Sequence, residues 1–165
     1  MKMRLSAVFV ALAVGVVSAS QAEEGAHDSA GSIEFGRHLV KISGCNDCHT
    51  PGYSMSSGRV LEKNWLIGDS LGWRGPWGTT YAHNLRLIAA SMDEEQWVRY
   101  ARALKPKPPM PDTVFVAMKE VELRSIFKFI RSLGSAGVPA PAYLPPNVEP
   151  PQPYVLFPSP PPPVE

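Results

Sequence analysis

Apolar residues recur along the chain first as a stretch, Leu5 to Val17, and then as three stripes at helical spacing. The first stripe spans roughly Ser32 to Ser43. Ile33, Gly36 and Val40 fall on one line with Phe35, Leu39 and Ile42 beside it, and Gly44 suits a helix C-terminus. A second helix is predicted to open at Ser91, whose hydroxyl can cap free amides with Glu94 as its capping-box partner. Trp97, Ala101 and Leu104 form its apolar face, and Lys105-Pro106 ends it. The third, from about Val116 to Leu133, carries Leu123, Ile126, Phe127, Ile130 and Leu133 on one face and stops at Gly134. Between the first two helices lie roughly 45 residues rich in Gly, Ser, Trp and Tyr, with no alternating run long enough for a sheet. So long a segment in a small domain needs an organiser other than the chain, and a bound cofactor is one.

Composition then sets the boundaries. Lys2 and Arg4 precede the first apolar run, and Ser18-Ala-Ser-Gln-Ala22 follows it with small residues at a cleavage site, the three parts of a secretory signal. The run is shorter than the roughly 18 residues a membrane span needs, so cleavage after residue 22, export to the periplasm and a mature chain without a membrane span are expected. Removal of residues 1–22 leaves 14 basic against 15 acidic side chains, scattered through every segment, and nothing in that balance points to nucleic acid. From Pro139 onward the chain carries 12 prolines in 27 residues, ending in Pro160 to Pro163. That composition favours extended polyproline and builds no core, so the tail is expected to be a strap or a spacer. The expected organisation is a signal peptide over 1–22, one domain over 23–138 and a proline-rich tail over 139–165.

Both cysteines of the chain lie in Cys45-Asn-Asp-Cys48-His49, the C-x-x-C-H attachment pattern of c-type haem. Two thiols three residues apart on one turn can each form a thioether to a vinyl group of one porphyrin. The adjacent His is then carried to the iron as proximal ligand. A redox dithiol shares the C-x-x-C spacing but lacks a surrounding βαβ pattern here. Structural zinc needs four protein ligands, and no second Cys pair exists.

Over about Ser32 to Leu133 the chain resembles a monohaem c-type cytochrome of the class with its attachment motif near the N-terminus and an axial Met further on. The resemblance implies an all-α, cytochrome c-like fold in which N- and C-terminal helices cross over one covalent haem c. A small residue on the first helix would meet an aromatic on the last: Gly36 and Phe35 on one side, Phe127, Phe129 and Ile130 as candidates on the other. The expected iron ligands are His49 and Met110. Met110 sits in Lys107-Pro-Pro-Met-Pro-Asp112, where flanking prolines limit backbone freedom and present a thioether at low entropic cost; the family carries its ligating Met in a similar loop. Met55, Met92 and Met118 read as packing or surface, His27 and His38 as solvated, and His83 as the competing ligand.

The stretch from Arg74 to Leu85 is similar to one in cytochrome subunits of quinoprotein dehydrogenases, which carry a Pro-aromatic-Gly-Thr turn followed by Asn. It departs from them after Asn84, where Leu-Arg-Leu stands. By that likeness Pro76 would offer its carbonyl to the second ring nitrogen of His49. Arg74, Trp77 and Tyr81 are candidate donors to haem propionates, while Trp65, Trp73 and Trp77 equally suit an apolar wall. No general-base or nucleophile constellation is visible. The expected function is electron transfer without substrate chemistry, as a shuttle or as the haem subunit of an oxidoreductase. Its partners would be redox proteins such as a dehydrogenase or a terminal oxidase, with the tail docking the domain onto a larger assembly. The alternative is a haem sensor or enzyme with an open or displaceable sixth position.

Overall fold

The structure, a computed structural model, describes residues 31–158. The signal segment 1–22, His27 and the run Pro160 to Pro163 lie outside the described residues. In chain order the elements are helix α1 (Ile33–Ile42), helix α2 (Cys45–His49) and two single 3₁₀ turns, Ser54–Ser56 and Glu62–Asn64. Strands β1 (Gly72–Gly75) and β2 (Gly78–Tyr81) follow, then helices α3 (Leu85–Ala90), α4 (Glu94–Ala103), α5 (Thr113–Ala117) and α6 (Glu120–Ser132), and strand β3 (Tyr154–Leu156).

Helix α1 begins where the Ser32 hydroxyl accepts from Phe35 N at 3.0 Å and ends at Ser43, after which Gly44 takes a positive φ of 69° and turns the chain into α2. Its buried face, Gly36, Leu39 and Val40, lies on α6 in the most extensive helix pairing among the described residues. A Cβ at Gly36 would stand 1.9 Å from the Ser125 carbonyl oxygen and 2.9 Å from Phe129 Cβ, so hydrogen alone permits this approach. Of the aromatic candidates it is Phe129, fully buried, that meets Gly36; Phe127 packs on Trp97 of α4 with ring centroids 5.8 Å apart.

Two helix boundaries differ from the sequence expectation. Helix α4 is capped by Asp93, not Ser91: the Asp93 carboxylate accepts from Gln96 N at 2.7 Å while the Gln96 side chain accepts from Asp93 N at 2.8 Å. A charged acceptor at the positive end of the helix outdoes a hydroxyl two residues earlier, and Ser91 instead terminates α3. The last helix is shorter than expected because Met118 is extended (ψ 136°) and buried in the core, which separates α5 from α6.

The all-α expectation is overturned. Beside the helices stands a three-stranded mixed sheet in the order β2-β1-β3, with β1 antiparallel to β2 and parallel to β3. The strands are four, four and three residues long, too short to show alternation, and Gly72, Gly75 and Gly78 contribute no side chain to a pattern. Gly75 pairs with Gly78, so Pro76 and Trp77 form the tip of a tight hairpin. Gly78 (φ 99°) is required there, since a Cβ would meet the Leu144 carbonyl oxygen at 2.3 Å.

The third strand comes from the proline-rich tail. Prolines flank β3 without interrupting it, as an edge strand allows. Leu144 and Thr79 exchange backbone hydrogen bonds of 2.8 and 3.0 Å, Gly72 N donates to Pro153 O at 3.1 Å, and Phe157 N donates to Arg74 O at 2.7 Å. Arg74 pairs with Glu149 at 2.5 Å. Residues 139–158 are thus a strap fastened to the domain's own sheet. Among the described residues no helix is long and apolar enough to cross a membrane.

Candidate functional site

The attachment motif forms the single turn α2, which puts Cys45 and Cys48 three residues apart as half-buried free thiols and buries His49. The Thr50 hydroxyl donates to Asn46 Oδ1 at 2.7 Å and accepts from Leu66 N at 2.8 Å, while the His49 carbonyl accepts from Gly68 N at 2.9 Å. The turn is therefore held by the segment that follows it.

His49 Nδ1 lies 2.7 Å from the carbonyl oxygen of His83. A carbonyl only accepts, so Nδ1 carries the proton and donates, and Nε2 is left with its lone pair. Burial lowers the His49 pKa and keeps the ring in that neutral, ligating form. The partner is not Pro76, as the likeness to dehydrogenase subunits implied. Pro76 is exposed at the hairpin tip, and the chain reaches the back of the imidazole only after β2 has ended.

Residues that the sequence reading passed over fix the His83 carbonyl. Asn84 Oδ1 accepts from Arg86 N and Leu87 N to cap α3, and Asn84 Nδ2 donates to Ala136 O (2.8 Å) and Val138 O (3.2 Å) where the tail begins. Buried Arg86 donates to Gly134 O at 2.5 Å, to Lys63 O at 2.8 Å and to Leu133 O, tying α3 to the end of α6. An Asn before an apolar stretch is a helix-start signal; the Arg86 contacts have no counterpart in local sequence. A cavity of about 310 Å³ adjoins this segment, lined by His83, Leu87, Ile88 and Tyr100 and edged by Pro139 and Ala140 of the tail.

The proposed propionate donors divide. Arg74 is taken by Glu149 and lies over the Tyr154 ring (5.8 Å), and the Trp77 indole donates to Trp73 O at 3.3 Å while its ring packs on Phe157. Tyr81 is different: its buried hydroxyl has no hydrogen-bond partner among the described residues, and neither have Thr79 Oγ1 and Asn46 Nδ2. Thr79 and Tyr81 share one face of β2, and Asn46 lies inside the attachment turn itself. Each such orphan costs about 1–3 kcal/mol unless something supplies its partner. Trp65 belongs to the core, donating to Val60 O at 2.8 Å and meeting Tyr53 and Phe129 edge to face.

Met110 is half-buried in the loop between α4 and α5, and that loop touches β2 where the Thr80 hydroxyl donates to Pro108 O at 2.8 Å. Met55 is 92% exposed, Met118 is in the core and Met92 packs at its edge. His38 and His83 are both exposed.

The donor set suits a macrocycle-bound iron better than a redox dithiol. Burial pushes the Cys45 thiol up to about 11 and raises Cys48 as well, whereas an exchanging thiol needs a lowered pKa. Two alkylatable thiols, one imidazole presented through Nε2 and buried orphan donors fit a covalent haem with anionic propionates. No protein-family model, curated protein or solved structure matches the chain.

Proposed function

We propose that this protein is an exported, periplasmic electron carrier holding one haem c, with His49 and Met110 as axial ligands. The observation that carries this reading is the 2.7 Å contact between His49 Nδ1 and the His83 carbonyl inside a C-x-x-C-H turn. It fixes tautomer and ring orientation as a metal-bound imidazole requires and raises the basicity of Nε2. Bound haem supplies an iron that exchanges one electron between its ferric and ferrous states.

The chain's own part is retention and orientation. Cys45 and Cys48 anchor the group covalently, so no dissociation accompanies turnover. His49 directs Nε2 at the iron. Asn46, Thr79 and Tyr81 offer buried donors, of which Tyr81 and Thr79 suit carboxylate oxygens. His83 would hold the rear of His49 through its backbone carbonyl, and Met110 would supply the second iron ligand as a thioether. A thioether sixth ligand raises the potential and keeps the coordination unchanged between oxidation states. Redox proteins, a dehydrogenase or a terminal oxidase among them, are the partners of such a carrier, met through a small transient interface.

The test is an optical and near-infrared spectrum of the purified oxidised and reduced protein beside a Met110→Ala variant. A covalent haem spectrum with a sulfur-to-iron charge-transfer band that disappears in the variant supports the carrier. A high-spin spectrum, or rapid carbon monoxide binding to the reduced protein, overturns it in favour of a sensor or enzyme with an open sixth position.

A further inference from the structure

The loop that carries Met110 is Pro106-Lys-Pro-Pro-Met-Pro111. Proline has no backbone N–H, so only Lys107 and Met110 retain one. The Met110 amide is spent inside the loop, donating to Lys107 O at 3.3 Å. Such a segment is stiff, and among the described residues neither of its two amides donates to the rest of the fold. Its place must come from groups that reach toward it.

Two do. Thr80, on the opposite face of β2 from Thr79 and Tyr81, donates its hydroxyl to Pro108 O at 2.8 Å. Tyr143, in the proline-rich strap, lies under the Lys107 ammonium, 4.4 Å from its ring centroid. Tyr143 is itself immobilised: its hydroxyl donates to Trp77 O at 2.8 Å, and the next residue, Leu144, exchanges two backbone bonds with Thr79. Adjacent residues of the same strand thus hold the strap and the loop, Thr79 through Leu144 and Thr80 through Pro108.

We infer that Thr80 and Tyr143 are positioning residues for the Met110 thioether, and that the proline-rich strap keeps the sixth iron position closed. The inference rests on the electron-carrier reading above. Both act by holding a loop whose two backbone amides make no bond outside it among the described residues. Loosening either lets Met110 leave more often, and an exogenous ligand then binds faster.

The experiment uses the full haem-loaded chain and measures the rate of imidazole binding to the oxidised protein, together with the thermal midpoint. Thr80→Val removes the hydroxyl at nearly constant volume, and Thr80→Ser keeps it; Tyr143→Leu removes the ring, and Tyr143→Phe keeps it over Lys107. Thr80→Val and Tyr143→Leu are expected to speed imidazole binding about fivefold to tenfold each, the factor that one lost hydrogen bond or cation–π contact carries. Thr80→Ser is expected to stay within about twofold of the parent, since it keeps the hydroxyl that holds the loop, and Tyr143→Phe, which keeps the ring over Lys107 but loses the hydroxyl bond to Trp77 O, is expected to fall between the parent and Tyr143→Leu. Unchanged imidazole rates in Thr80→Val and Tyr143→Leu, with or without a fall in thermal midpoint, overturn the inference. A parent protein without the Met110-dependent charge-transfer band overturns the carrier reading and this inference together. A parent that shows the band while the variants bind imidazole no faster defeats this inference alone.

Discussion

The His83 carbonyl oxygen stands 2.7 Å from Nδ1 of His49, and this one contact gives the two histidines different jobs. In the proposed carrier His49 is the metal-facing ring; His83 holds it through the main chain while its own side chain is exposed. Replacement of the His83 side chain leaves the carbonyl in place. His83→Ala is therefore expected to keep a low-spin spectrum with an undiminished sulfur-to-iron band; a parent without that band whose low-spin spectrum turns high-spin in His83→Ala would make His83 the sixth ligand in place of Met110.

Gly36 sets how closely α1 and α6 approach. Alanine in its place gains roughly 1 kcal/mol of helix propensity but puts a methyl group 1.9 Å from the Ser125 carbonyl oxygen. Because that neighbour is backbone in a buried helix, it cannot swing aside, and overpacking of this kind costs about 1–3 kcal/mol or more. Gly36→Ala is expected to be net destabilising in a denaturant titration of the loaded protein, with a lower midpoint and an unchanged slope.

Tyr81 offers a test whose sign depends on what lies beside it. With no partner for its buried hydroxyl, Tyr81→Phe is neutral or stabilising, because an orphaned polar group is removed. With a carboxylate oxygen as acceptor, the same change costs about 1.5–3 kcal/mol. The proposed haem propionate predicts the second result, read as a lower unfolding free energy of the loaded protein and a shifted midpoint potential. A stabilised Tyr81→Phe protein would place the propionates elsewhere.

The strap carries its own pH dependence. The Tyr154 hydroxyl, which donates to Glu149 at 2.7 Å, and then Arg74 hold the Glu149 carboxyl below its ordinary range. A carboxyl with a lowered folded pKa stabilises the attached strap above its unfolded value near 4.5, and that contribution is lost as pH falls through the folded pKa. Both groups are at the surface, so added salt weakens the effect. Hydrogen exchange at Phe157, whose amide donates to Arg74 O, is expected to lose protection as pH falls below about 4.5 by more than the intrinsic pH dependence of exchange, as a screened surface ion pair would allow. Glu149→Gln is expected to flatten that dependence; equal profiles in the two proteins would refute the assignment.

Local geometry that fits within a few consecutive residues was legible in the sequence. The order Cys45, Cys48, His49 states its own geometry, because one helical turn brings i, i+3 and i+4 together whatever surrounds them. Ser32, Gly44 and the apolar repeats of α1 and α6 were readable for the same local reason. Tertiary structure decided whatever depends on segments distant in the chain. Whether Pro76 or His83 reaches His49 turns on where the β1–β2 hairpin spends its residues. The third strand, drawn from a proline-rich tail into parallel pairing with Trp73 some 80 residues earlier, has no local signature at all. Arg74 and Trp77 looked like ligand contacts by residue type, yet Glu149 and Phe157 claim them, while the neighbouring Thr79 and Tyr81 are left buried and unpartnered. Residue type announces what a group can bind; burial and competition with the rest of the fold determine which group is left to bind it.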